Sequence, residues 1–199
     1  MIHPETFLSG SFFILAGLGC FGESSGAEYA IPPPAADPPS KGIQKAVLAG
    51  GCFWGVEAAF ARIPGMTETS VGYEGGTTQS PTYKDVCTGT TGHAEVVEID
   101  FDPMQVAYTE LLETFFAIHD PTQKNRQGPD WGTQYRSVIF YHSPEQKTQA
   151  EAMIAQLTAD GKFAPRTIVT SVEPAQTFWR AEEYHQRYLE KRGLASCHI

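Results

Sequence analysis

The chain has 199 residues, 41% of them hydrophobic, which is enough for one ordinary core, and its 14 Lys plus Arg against 23 Asp plus Glu give a formal charge of −9. With no basic run or stripe to follow a phosphate backbone, nucleic acid is excluded as an expected partner. The four cysteines, at 20, 52, 87 and 197, contain no Cys-x-x-Cys pair, which argues against a structural zinc site, a thioredoxin-type dithiol and a dense disulfide scaffold.

Residues 1–43 differ from the rest. Phe12-Phe13-Ile14-Leu15-Ala16-Gly17-Leu18 is an apolar run of signal-peptide length, too short to span a bilayer as a stable anchor. A proline-rich stretch follows, Ile31 to Ser40, and is expected to be an extended linker. Together they suggest export, to a periplasmic or membrane-associated location. The cytoplasmic alternative stays open, because no Lys or Arg precedes the apolar run and Glu5 is acidic where a signal is normally basic. Cys20 is a candidate lipid attachment point, although Gly17-Leu18-Gly19 fits the usual cleavage box poorly. Residues 44–199 are expected to form one catalytic domain.

In that domain Ala46-Val47-Leu48-Ala49 reads as a short buried strand. Gly50-Gly51 lets the backbone turn, and Val56, Ala59, Phe60 and Ile63 recur at helical spacing. Cys52 therefore stands at or just before a helix N-terminus, where backbone N–H groups and the helix dipole favour the thiolate. The alternative for such a cysteine is a buried structural thiol between core aromatics. Glu95 to Phe101 alternates as a strand does, after the glycine-containing loop Thr91-Gly92-His93. Tyr108, Leu111, Leu112, Phe115, Phe116 and His119 mark a helix face. Arg136 to Tyr141 reads as a strand, and Ser143-Pro144-Glu145-Gln146 as a helix start, with Ser as cap and Met153, Ile154 and Leu157 as the buried stripe. Thr167 to Val172 is strand-like, and Ala181, Tyr184, His185, Tyr188 and Leu189 predict a last helix that frays into a tail ending in Cys197-His198-Ile199. The expected class is α+β, a mixed sheet packed with helices.

A nucleophilic thiol needs an acid or a base. Glu95, entering a strand from a glycine-containing loop, is expected at the edge of the sheet, where partial burial would keep its proton at neutral pH. Tyr83 and Tyr135 lie beside turn-forming residues, and their hydroxyls can donate to a developing oxyanion. His93, His119 and His185 suggest a second reading, a Cys-His hydrolase or acyltransferase. A phosphate-cradling loop is ruled out, since Gly50-Gly51 and Gly55 are followed by no Gly-Lys-Ser/Thr.

Taken in order, these segments resemble the A-type peptide methionine sulfoxide reductases: Gly51-Cys52-Phe53-Trp54-Gly55-Val56-Glu57, Val71-Gly72-Tyr73 with Gly75-Gly76, Pro81-Thr82-Tyr83, Gly92-His93-Ala94-Glu95, Ile118-His119-Asp120-Pro121-Thr122, Gly132-Thr133-Gln134-Tyr135-Arg136-Ser137, and Ala181-Glu182-Glu183-Tyr184-His185-Gln186. The resemblance runs from about Lys45 to the end. It implies a two-layer ferredoxin-like sandwich with a long irregular C-terminal tail, and reduction of methionine-(S)-sulfoxide, in proteins or free, as oxidative repair. Cys52 would attack the sulfoxide sulfur and Glu95 would protonate its oxygen, helped by Tyr83 and Tyr135, while Asp130 would help to hold the site. Phe53 and Trp54 would form the apolar pocket for the S-methyl group. The sulfenic acid left on Cys52 would be resolved by Cys197, and the disulfide recycled by thioredoxin or a similar dithiol. Cys87 matches a family position with no assigned duty. No cofactor, metal or nucleic acid is implied, and the unit is expected to act as a monomer. A catalytically inert binder of oxidised methionine is the remaining alternative.

Overall fold

The computed structural model describes residues 42–194; the apolar N-terminal run, the proline-rich linker, Cys20 and Cys197 lie outside the described residues. In chain order the elements are β1 (Gln44–Gly50), α1 (Phe53–Phe60), β2 (Met66–Glu74), α2 (Tyr83–Cys87), β3 (Ala94–Phe101), α3 (Tyr108–Ile118), β4 (Arg126–Gln127), β5 (Asp130–Trp131), β6 (Ser137–Tyr141), α4 (Pro144–Ala159), β7 (Ser171–Pro174), β8 (Trp179–Arg180) and α5 (Tyr188–Lys191), with a 3₁₀ turn at Thr133–Tyr135.

The main sheet runs β7-β6-β1-β3-β2-β8, with β4 and β5 forming a separate small hairpin. Its central four strands, β6-β1-β3-β2, have the order of a ferredoxin-like βαββαβ unit. They are antiparallel neighbours, and β7 joins β6 in parallel, so the sheet is mixed. The α+β expectation holds.

Strands β1 and β3 lie in the interior and are buried on both faces. Ala46, Leu48, Val97, Ile99 and Phe101 face a large core closed by Phe53, Val56 and Phe60 of α1, Leu111, Leu112, Phe115 and Phe116 of α3, and Ala150 and Leu157 of α4. On the other face Val47, Ala49, Ala94, Val96, Val138 and Phe140 form a smaller cluster under Ala175 and Phe178. Each fully buried large apolar side chain contributes about 1.5–3 kcal/mol, and the two clusters together fix the register that sets Glu95 against Tyr73.

Helix α4 begins as its sequence predicts, with the Ser143 hydroxyl accepting the Gln146 amide at 3.2 Å and Pro144 opening the helix. Two expectations are corrected, and one strand was not foreseen. Strand β2 was not legible as a strand, because Thr67, Glu68 and Thr69 near its start are polar and partly or fully exposed and only Ser70 to Glu74 is buried. The seventh strand is Ser171–Pro174 rather than Thr167–Val172: Val169 N–H bonds the Pro121 carbonyl, and Thr170 turns its hydroxyl to Ser137, so neither joins the ladder. The last helix is not continuous from Ala181. Arg187 takes left-handed φ of 51°, and only Tyr188–Lys191 is helical, because Glu182, His185 and Gln186 spend their side chains on the body of the domain.

Candidate active site

Gly50 and Gly51 end β1 against two side walls. A Cβ on Gly50 would lie 3.0 Å from Phe115 Cε2 and 3.2 Å from His119 Cγ, and Gly51 has φ of +98°, a conformation that favours glycine. The turn delivers Cys52 to the N-cap of α1, where its carbonyl accepts the Gly55 and Val56 amides at 3.2 and 3.4 Å and its side chain stays half-exposed. This is a thiol at a helix N-terminus that a substrate can reach, not a sealed core cysteine.

Glu95 is 2% exposed, yet it is not at the sheet's edge as expected: β3 is an interior strand, and Glu95 lies near its start, paired with Tyr73. Its Oε2 accepts the amide of Phe53, the residue after Cys52, at 3.0 Å. Burial pushes this carboxyl up to about 8, the Phe53 amide opposes the rise, and the nearby charge of Asp130 reinforces it. At neutral pH the group is a neutral acid next to the thiol.

The hydroxyls of Tyr83 and Tyr135 are pushed above their ordinary value, first by burial, then by the bond to Cys87 and the charge of Glu95 for Tyr83 and by the charge of Glu95 for Tyr135, so both keep their protons. Tyr135 acts on Tyr83 and itself feels Cys52 and Asp130, which gathers Cys52, Glu95, Tyr83, Tyr135 and Asp130 into one cluster. Tyr83 is hydrogen-bonded to the thiol of Cys87, one turn along α2. Burial raises the Cys87 thiol, the bond to Tyr83 lowers it, and Glu95 and Glu182 raise it again, with a net rise that disfavours its thiolate.

Phe53 is 1% exposed, enclosed by Trp54, Tyr73 and His185, and so backs the site from beneath. Trp54 is half-buried: its Nε1–H donates to His185 Nδ1 at 3.1 Å and its ring stacks on Tyr188 at 3.7 Å and 6°. The indole therefore presents an apolar wall in one orientation.

Each histidine of the hydrolase reading is occupied elsewhere. His93 Nδ1 accepts the Gly76 amide at 3.1 Å, so its Nε2–H donates to the Thr78 carbonyl at 2.7 Å. His119 bonds the Phe115 carbonyl and Ser137, and burial lowers it to about 4. His185 gives one nitrogen to Trp54, and its Nε2 has no hydrogen-bond partner. The ring nitrogens of His93 and His119 are both engaged and burial lowers His185, which weakens it as a base, whereas an acid is in place.

A family model described as peptide methionine sulfoxide reductase matches residues 44–199. The chain belongs to the peptide methionine sulfoxide reductase family. Among curated relatives, peptide methionine sulfoxide reductase MsrA of Acidobacterium capsulatum is 68% identical over 79% of this chain and 100% of its own length. Among solved structures, Mxr1 of Saccharomyces cerevisiae in reduced form aligns with a TM-score of 0.71 at 36% identity, covering 80% of this chain and 90% of that one. The same yeast protein in complex with Trx2 aligns with a TM-score of 0.51 at 25% identity, over 77% of this chain and 88% of that one. The chain is thus an oxidoreductase that returns methionine sulfoxide to methionine.

The reductase carries further site residues that sequence reasoning did not assign. Glu182 accepts the Tyr83 amide at 2.9 Å and the Tyr73 hydroxyl at 3.0 Å. Gln186 brackets Val71 on both its N–H and its carbonyl, at 2.9 and 3.0 Å. With His185 on Trp54, this segment ties down the start of α2, the middle of β2 and the indole. Its helical spacing in the sequence masked the signal: the inward-facing residues Glu182, His185 and Gln186 recur as on a helix face but are polar.

Proposed function

We propose that the reductase works through the sulfur of Cys52 and the proton of Glu95, and acts on the S epimer of methionine sulfoxide. The Cys52 thiolate attacks the sulfoxide sulfur, whose S–O bond weakens as Glu95 protonates the oxygen and Tyr83 and Tyr135 donate hydrogen bonds to it. Methionine leaves as the thioether. The bond formed between the two sulfurs breaks as the protonated oxygen passes from the methionine sulfur to Cys52 Sγ: the methionine sulfur has gained two electrons, and Cys52 is left as a sulfenic acid, which holds the two-electron loss. Phe53 and Trp54 receive the S-methyl group, and burial, reinforced by the charge of Asp130, keeps Glu95 protonated. The observation that carries this reading is the buried Glu95 carboxyl, raised to about 8 and bonded to the amide that follows Cys52. A sulfoxide oxygen is a poor leaving group unless protonated, and a neutral acid facing a thiolate supplies what the reaction requires.

For turnover, Cys197 attacks the sulfenic sulfur, a disulfide to Cys52 forms and water leaves; thioredoxin or a similar dithiol then reduces the bridge. The yeast relative's complex with Trx2 supports that choice of reductant. The apolar run before the proline-rich linker supports export, with the domain acting as a monomer outside the cytoplasm. The reaction is tested by incubating the protein and dithiothreitol with the separate S and R epimers of a methionine sulfoxide peptide. Conversion of the S epimer by the wild type, with none by Cys52→Ser, is expected; conversion of R alone, or activity in Cys52→Ser, contradicts it. The mass of the mature N-terminus from the native host tests export, and sedimentation tests the monomer.

A further inference from the structure

We infer that Gln127 is a positioning residue for the nucleophile: it keys the β4–β5 hairpin that carries Asp130 into the Gly51 turn that carries Cys52. This rests on the reductase reading above.

The hairpin is two residue pairs long, Arg126 with Trp131 and Gln127 with Asp130, too short to hold its place by backbone bonds alone. Side chains hold it instead. The Gln127 amide makes two bonds to one residue outside the hairpin, Nε2 donating to the Asp120 carbonyl and Oε1 accepting the Asp120 amide, each at 3.1 Å. Asp120 is itself anchored, by Thr122, Gln123 and an ion pair with Arg166. Gln123 also accepts the Gly128 amide at 2.9 Å, and the Arg126 guanidinium stacks over Trp131 at 4.0 Å.

With its amide pinned at both ends, the aliphatic stem of Gln127 has one place to go. It lies against Gly51, so close that a Cβ there would be 2.6 Å from both Cβ and Cγ of Gln127. The Gly50-Gly51 turn is thus held between Phe115 and His119 on one side and Gln127 on the other. Across the hairpin Gln127 pairs with Asp130, whose charge acts on Glu95, and Glu95 in turn holds the Phe53 amide. One side chain therefore spans the supports of both reacting groups. Misplacing reacting groups by about 1 Å can cost on the order of a hundredfold in rate, so a support of this kind is read in the chemical step rather than in binding.

The test uses the full chain with Gln127→Ala and Gln127→Met; the latter keeps an unbranched stem and preserves the hairpin's packing if the alanine variant fails to fold. Two rates are measured: single-turnover reduction of a methionine sulfoxide peptide, and alkylation by iodoacetamide at Cys52, followed by peptide mass spectrometry. Both are expected to fall by about tenfold or more, with peptide affinity unchanged. A folded variant whose two rates stay within about twofold of wild type overturns the inference, as does loss of peptide affinity with the rates at saturation intact. Alkylation needs no sulfoxide chemistry, so it judges Gln127 even if the wild type fails to reduce the peptide, an outcome that would fall on the reductase reading alone.

Discussion

Glu95 Oε2 accepts the backbone N–H of Phe53 at 3.0 Å, so a buried acid is tied to the residue that follows the nucleophile. The bond runs from the interior of the sheet to the first turn of α1. A carboxylate at a helix N-terminus is normally favoured. Here burial wins, and the group stays protonated to about 8.

That burial has a consequence for stability. The folded carboxyl of Glu95 titrates near 8 and that of Glu74 near 7, both raised by burial above an ordinary 4.5. Between those values the folded state holds more protons than the unfolded chain, so stability is full below about 4.5 and falls as pH rises toward 8. Glu95→Gln removes one of the two contributions. Its melting temperature, measured relative to wild type, should therefore gain between about pH 5 and about pH 9, and a pH-independent difference would contradict the assignment.

Gly51→Ala should destabilise the domain by about 1–3 kcal/mol from backbone strain alone, because φ of +98° suits glycine, and the added Cβ meets the Gln127 stem at 2.6 Å. Chemical denaturation measures the loss. A variant as stable as wild type would show that the turn relaxes without cost.

Trp54→Ala removes the exposed apolar wall and its stacking on Tyr188. The expected result is a fall of about tenfold or more in kcat/KM for the peptide, since a methyl group held in an apolar pocket is worth about 1–3 kcal/mol. Unchanged kinetics would place the methyl elsewhere.

Cys197→Ser should give about one methionine per enzyme and then stall when thioredoxin is the reductant, while Cys87→Ser cycles as wild type does. Rapid-quench product counts check both. The expectation for Cys87 follows from its thiol, which is raised and bonded to Tyr83.

Much of this was legible in the sequence where one local rule governs. Gly50-Gly51-Cys52 announced a turn into a helix, and the alternation after Glu95 announced a strand. Ser143-Pro144 announced a capped helix, and all three are in place. What failed depended on partners far along the chain. The position of β3 inside the sheet, which buries Glu95, follows from pairing with β1 and β2, and no spacing within β3 encodes it. The segment around His185 reads as an amphipathic helix because its inward residues recur at helical intervals. They are polar, however, and bond Tyr83, Trp54 and Val71, more than one hundred residues away in two of these cases, at separations of 131 and 115. The roles of Glu182 and Gln127 lie in such contacts too, and only the fold displays them.

The pairing of a sulfur nucleophile with a protonated acid is tested most directly by the pH dependence of single-turnover methionine sulfoxide reduction, in wild type and Glu95→Gln, with the protein reduced beforehand so that recycling plays no part. Wild type should lose rate as pH rises through about 8, where Glu95 gives up its proton, and Glu95→Gln should be slow throughout and lack that descent. A Glu95→Gln enzyme that matches wild type at neutral pH, or shows the same descent, would contradict the account.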